Sequence, residues 1–356
     1  MTLQTGTPYV HVPFNYFGGT GMPAEVENWL DQINYPELPT IYAPGIQLYF
    51  MVSALLPSSL ITWKLIILAH DIATIVLLAR LSCNKTALLY ASCPLLIIEA
   101  AWHAHFESIG AFWFVLAIWI LKQEKTPPHK RNLLAATALA LALSIKISAI
   151  LVLPFFFKRL PFKYFFLMPA LAILTGLPFI IPTIHQLQLP HELSYENISY
   201  TMGKLQSFTT FARSWEFNSA FYAILKNLIG QTSAKVVGLL LFGSGALFLL
   251  VKSYQQKLFP SPGATTWVAA LTLLFSPVIN PWYAIWLLPL ATLDPKIWQW
   301  FLFTFLPLSY MHGLFLPNSN LDPFQHPIWL RPLEFALILV PMLLYLKSTL
   351  QTDNNE

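Results

Sequence analysis

The chain has 356 residues, 56% of them hydrophobic, 15% aromatic and only 10% charged, with a mean hydropathy of +0.58. A water-soluble core cannot hide that much apolar surface, so the composition excludes a soluble globular protein and reads as an all-α, polytopic membrane protein. The formal charge of +4 is too small and too scattered to imply a nucleic-acid partner, and where the basic residues lie matters more than their sum.

In chain order, the first 63 residues contain no lysine or arginine and carry Glu25, Glu27, Asp31 and Glu37. They read as an external segment, 1–57, with a shallow helix over 44–56 lying near the outer surface. No signal peptide or span precedes them, and the expectation is that a first transmembrane helix is missing upstream. Hydropathy and breakers then place spans at 59–81, 85–101, 105–121, 162–184, 233–251, 264–280, 296–316 and 332–350, with short segments at 132–145, 147–157 and 282–293. Cys83 and Cys93 have neither metal-ligand nor redox spacing and read as inert packing residues.

Basic residues set the orientation. Arg80 and Lys85, then Lys122, Lys125, Lys130 and Arg131, then Lys158, Arg159 and Lys163, then Lys252 and Lys257 fall in short connections that should face the cytoplasm, as should the C-terminus. The stretch 132–157 lies between two such clusters, so it must enter and return as two half-helices of roughly 13 residues, each climbing about 20 Å, with Lys146 at the apex. The same parity puts the turn at 102–106, the loop 185–232, the loop 317–330 and the tip Asn280-Pro281-Trp282-Tyr283 on the far side. The whole of 1–356 reads as one integral membrane domain.

Gly6-Thr7-Pro8-Tyr9, Asn34-Tyr35-Pro36-Glu37-Leu38-Pro39, Tyr42-Ala43-Pro44, Cys93-Pro94 followed by His103–Glu107, Lys146 with Pro154, Trp215-Glu216-Phe217-Asn218 and Ser276-Pro277 with Asn280–Tyr283 occur in that order along nearly the whole chain. This order resembles the type C (GT-C) glycosyltransferases, and more narrowly the bacterial polyprenol-phosphate-dependent mannosyltransferases related to the enzyme that adds the first mannose in GPI-anchor synthesis. The resemblance implies a GT-C-like helical bundle with re-entrant half-helices in a bacterial plasma membrane. It further implies transfer of a hexose, mannose, from a polyprenyl-phosphate donor to a glycolipid or glycan acceptor outside the cytoplasm. In the family an acidic catalytic motif follows the first transmembrane helix and precedes the stretch matching Gly6–Tyr9. Here it would fall before Met1, which leaves a later carboxylate to take the role or the chain catalytically degenerate.

Such chemistry needs an apolar groove for the lipid tail, cations or donors for the phosphate and a carboxylate to accept the proton of the attacking hydroxyl. Glu107 is the first candidate for that carboxylate, at the mouth of the apolar helix 105–121 with His103 and His105 beside it. If the helix starts by His103, the i,i+4 spacing puts His103 and Glu107 on one face; a glutamate simply favoured at a helix N-terminus is the competing reading. Lys146, among Leu143, Ile145, Ile147 and Ile150, needs a partner to stay charged and reads as the donor-phosphate ligand, with snorkelling as its competitor. Arg213 is a second phosphate ligand or a loop arginine paired to Glu216. Tyr283, Trp282, Asn218, Tyr42 and Glu37 complete the sugar-binding set, with a membrane-interface belt as the competing role of Trp282. Glu99 reads as extending a chain through His103, and His70 and Asp71 read as a buried hydrogen-bonded pair between helices.

The sequence carries no P-loop, dinucleotide fingerprint, zinc-ligand spacing or Ser-His-Asp arrangement, so no metal ligand and no cofactor is assigned, although a divalent metal would be compatible with the family. A lipid-linked sugar flippase or transporter is the rival, because proline-broken helices with intramembrane acids and histidines also describe carriers.

Overall fold

Proline and apolar runs decide where this chain is helical. Pro44 and Pro128 stand at the first turn of their helices, where the missing N–H costs nothing and the fixed φ is already helical. The computed structural model describes residues 7–16, 33, 35–57, 59–156, 158–187, 206–255, 262–313, 320 and 325–353. In chain order these form α1 (Pro44–Ala54), α2 (Ser59–Leu81), α3 (Asn84–Ala91), α4 (Pro94–Leu96) running into a π-helical turn (Ile97–Trp102), α5 (Glu107–Leu121) and α6 (Pro128–Ile145). A 3-10 helix (Ile147–Phe156) leads to α7 (Lys163–Leu187), α8 (Gln206–Ser214), α9 (Phe221–Ile229), α10 (Gln231–Gln255) and α11 (Pro262–Phe275). A 3-10 turn (Pro281–Trp286), α12 (Leu288–Leu293), α13 (Ile297–Phe305), a 3-10 turn (Leu306–Tyr310) and α14 (Leu330–Asp353) complete the chain. No named strand occurs among the described residues; one isolated bridge joins Phe217 to Val278.

The protein is all-α. Among the described residues, three helices are long and apolar enough to cross a membrane, Leu60–Leu81, Lys163–His185 and Gln231–Gln255, or up to four if the pair Pro94–Trp102 and Glu107–Leu121, bent by 118°, is one span. On α2 the exposed side chains Ile61, Leu65, Leu68, Ile72 and Val76 follow helical spacing and form one apolar stripe, a surface suited to lipid rather than water. Of the other expected spans, 105–121 and 332–350 are continuous helices, Glu107–Leu121 and Leu330–Asp353, whereas proline interrupts 85–101 and 296–316. Pro94 cannot donate a hydrogen bond, so 85–101 breaks after Ala91 and restarts; Pro307 likewise turns 296–316 into α13 and a 3-10 turn. The chain does break at Lys146, which is extended (φ −149°, ψ 119°) between an 18-residue α6 and the 10-residue 3-10 helix, rather than between two helices of about 13 residues.

Two apolar cores hold the bundle. One joins α2, α3, α5, α12, α13 and α14 through Leu78, Tyr90, Ile109, Leu288, Trp298 and Ile338. The other packs α5 on α6, α7 and α11 through Phe114, Ala135, Leu139, Phe156, Met168 and Val268. Close approach of α1 to α6 needs Gly45, where a Cβ would lie 2.6 Å from the Ser144 carbonyl oxygen. That contact sits two residues before Lys146 and fixes its backbone against α1. Glu25, Glu27, Asp31 and Lys257, together with Gly6, Asn34 and the middle of the expected loops 185–232 and 317–330, lie outside the described residues.

Candidate functional site

α5 begins at Glu107 rather than at His103, its carboxylate in the first turn where the helix dipole favours an anion. Glu107 is 1% exposed, and Lys146 Nζ donates to its Oε1 at 2.6 Å. The ammonium also sits over the Tyr283 ring, 3.9 Å from the centroid. Lys146 therefore does not snorkel; a carboxylate and an aromatic face hold it. The other Glu107 oxygen, Oε2, is buried without a hydrogen-bond partner among the described residues. Tyr42 reaches the same place: its ring packs edge-on against Phe106 at 5.2 Å. Tyr42 keeps 45% of its surface exposed, but desolvation around its phenol, with the Glu107 carboxylate and Tyr283 adding to the push, raises it to about 12, so it remains a hydroxyl.

His103 and His105 are not on the Glu107 face, contrary to the i,i+4 expectation. The chain leaves α4 through the π turn, with His103 N–H donating to the Ile98 carbonyl at 2.9 Å, and reverses at Ala104 (φ 61°). Both imidazoles are thereby turned onto Glu99, which is fully buried: His103 Nδ1 lies 3.3 Å and His105 Nε2 3.6 Å from its Oε2. The Tyr310 hydroxyl donates to both Glu99 oxygens at 2.7 and 2.8 Å. Trp282 stacks on His105 with centroids 4.0 Å apart and rings 16° from parallel, and meets Tyr283 edge-on at 5.9 Å. Trp282 is thus a wall between the Glu99 group and the Glu107–Lys146 pair rather than a free interfacial aromatic.

The remaining expected residues lie elsewhere. Arg213 is exposed at the end of α8, where its main-chain carbonyl accepts from Gln231 and Lys235; Glu216 pairs instead with Lys226 at 2.6 Å and accepts from Tyr222 at 2.9 Å. Glu37 is exposed in the turn after Tyr35, whose ring packs on Trp215 at 5.0 Å. Neither Arg213 nor Glu37 makes contact with the buried pair. Asn218 is buried, its Nδ2 donating to Glu334 Oε1 of α14 at 2.8 Å while its Oδ1 has no hydrogen-bond partner among the described residues. His70 and Asp71 do not pair either: His70 bonds Tyr49 and the Ile66 carbonyl, while Asp71 accepts from Tyr90. A cavity of about 250 Å³ opens near the Asn218–Glu334 contact, lined by Ser219, Phe221, Ile224, Arg331, Phe335 and Leu339.

Sequence reasoning missed Tyr310 and Glu334, which carry no local motif and join the clusters only through tertiary packing. The link from Glu99 to His103 was expected and is present, because the two stand four residues apart. The result is a buried acid with one free oxygen, a cation beside it, and a second acid with two imidazoles across an aromatic wall. Such a set can accept a proton and balance an anion. Comparison with family models, with curated proteins and with solved structures finds no match to this chain.

Proposed function

We propose that this chain is a membrane glycosyltransferase of the GT-C kind. It moves a hexose, mannose by the motif order, from a polyprenyl-phosphate donor to a glycolipid or glycan hydroxyl at the non-cytoplasmic face of a bacterial plasma membrane. The reading includes a GT-C-like bundle with re-entrant half-helices around Lys146. The observation that carries it is the buried Glu107–Lys146 pair with its unpartnered carboxylate oxygen, built where two broken helices meet. In the reaction the acceptor hydroxyl gives its proton to Glu107 Oε2 as its oxygen bonds the sugar C1. The C1–O bond to phosphate breaks, and Lys146 balances the charge left on the polyprenyl phosphate. Tyr283 and Tyr42 flank that point and offer an aromatic face and a hydroxyl to the sugar.

A second reading, a flippase for the same lipid-linked sugar, is favoured by the 118° bend and the proline-broken helices around an intramembrane ion pair. One experiment separates the two. Purified protein in lipid vesicles receives a polyprenyl-phosphate mannose donor with and without a glycolipid acceptor. Acceptor-dependent donor consumption, absent in Glu107→Gln, supports transfer; sugar-lipid crossing without consumption supports the flippase and removes the transferase reading.

A further inference from the structure

We infer that Glu99, His103 and His105 form a three-ligand site for a divalent transition cation, zinc foremost, with a fourth position open to a water or substrate oxygen. This goes beyond the transfer reading and does not depend on it.

The three ligating atoms lie within 4.8 Å of one another, two of the separations being the 3.3 and 3.6 Å already described. In a tetrahedral zinc site with bonds of about 2.0 to 2.2 Å, neighbouring ligand atoms stand roughly 3.3 to 3.5 Å apart. Two edges of the tetrahedron are therefore in place, and the third, between the two imidazoles, lies within 4.8 Å.

Backbone geometry rather than chance proximity brings the ligands together. The π turn places His103 four residues after Glu99 over the same carboxylate, and Ala104 at φ 61° folds His105 back so that its N–H donates to the Glu99 carbonyl at 2.8 Å. A positive φ at alanine is strained by about 1 to 3 kcal/mol and persists only where neighbours impose it. The neighbours are on α2: Trp63 Nε1 donates to the Ala104 carbonyl at 2.9 Å and Lys64 Nζ to the Trp102 carbonyl at 3.0 Å.

Around the three ligands stands a shell of the kind that orients them. Tyr310 holds both Glu99 oxygens, Trp282 fixes the His105 ring plane, and Tyr310 meets the His103 ring edge-on at 5.4 Å. Exposure is graded to match: Glu99 is sealed at 0%, while His105 at 28% and His103 at 37% leave a way in from one side. Two imidazoles with one carboxylate suit zinc and similar borderline cations, whereas magnesium and calcium prefer all-oxygen shells.

The test uses the full chain, purified in detergent, stripped with a chelator, reloaded with zinc and passed through a desalting column. Mass-spectrometric metal analysis is expected to give about one zinc per chain, and cobalt in its place to give the intense visible bands of a four-coordinate site. His103→Ala and Glu99→Gln are each expected to lower retained zinc at least about tenfold. His129→Ala, whose imidazole bonds Tyr164 on the cytoplasmic-cluster side of α6, should retain it. Because Glu99 is buried and its variant risks misfolding, the half-exposed His103 variant is decisive, read alongside an unchanged metal-free unfolding midpoint. Zinc that is substoichiometric in the wild type, or equal in wild type and His103→Ala, overturns the site. Zinc retention without sugar transfer would leave the site standing and count against the transferase alone.

Discussion

Glu107 and Glu334 are both sealed from solvent, at 1% and 0% exposure, and each leaves its Oε2 without a hydrogen-bond partner among the described residues. Their partners differ. Glu107 meets an ammonium at 2.6 Å; Glu334 meets the neutral amide of Asn218 at 2.8 Å. Removing one member of a buried ion pair strands an opposite charge, whereas removing the neutral Asn218 withdraws a single hydrogen-bond donor and no counter-charge. Equal burial thus gives unequal roles: the first acid belongs to a charged centre facing a cation and two tyrosines, and the second ties α14 to the segment that carries Phe217 and the bridge to Val278.

The largest expected effect is on turnover. Glu107→Gln and Lys146→Ala should each cut sugar transfer by at least about 10²-fold, the scale of a lost general base or charge-stabilising donor. Initial rates with saturating donor and acceptor check this, and wild-type rates in both variants would take the pair out of the site. The same pair sharpens the contrast in stability. Lys146→Met alone should lower stability by about 3 kcal/mol or more, because the Glu107 carboxylate is left buried and unpaired. The double variant Glu107→Gln, Lys146→Met should recover most of that loss while remaining inactive. Failure of the double variant to recover, in denaturant titrations, would mean that packing and not charge is what the lysine supplies.

One step smaller, Asn218→Ala should cost about 1 to 3 kcal/mol by leaving Glu334 buried without its donor, with turnover close to wild type. Glu334→Gln should cost less still, since an amide keeps the shape and can accept from Asn218. A large activity loss in Asn218→Ala at unchanged unfolding midpoint would return this residue to the substrate-binding set.

What the sequence made legible follows from which forces are local. The expectation of 59–81 matches Ser59–Leu81, and 162–184 and 233–251 match Lys163–Leu187 and Gln231–Gln255 to within a few residues, because uninterrupted apolar runs define these helices by themselves. The break at Lys146 was legible from a second local signal, the basic clusters on both sides. The span 85–101 was not, because averaged hydropathy overlooks the missing N–H of Pro94 and gives no sign of a π turn. That turn, with the reversal at Ala104, decided where His103 and His105 point, and so the expected triad with Glu107 became a group around Glu99. Asn218 and Glu334 stand 116 residues apart, and no spacing rule links them. Lys146 and Glu107 were each singled out for the cost of their charge in an apolar setting, yet only the packing of α5 against α6 makes them partners.

The smallest effect comes from the exposed counterpart of the buried pair. Glu216 and Lys226 are 26% and 40% exposed, and their 2.6 Å contact resembles the Glu107–Lys146 contact in distance alone. Burial pushes the Glu216 carboxyl up, but hydrogen bonds from Lys226 and Tyr222 and the charges of Lys226 and Lys235 outweigh it and hold the group below its usual value of 4.5. A carboxylate whose folded value is depressed contributes stability that is fully present above its unfolded value and is lost as pH falls through the folded one. Lys226→Ala should therefore lower stability by no more than about 1 kcal/mol at neutral pH, less in high salt. The difference from wild type should fade as the pH is taken below 4.5, and unfolding midpoints across an acid series at two salt concentrations measure it. A cost at neutral pH as large as that of Lys146→Met would mean that distance, and not exclusion of water, sets the worth of an ion pair in this protein, and the contrast between Glu107 and its solvent-facing counterpart would collapse.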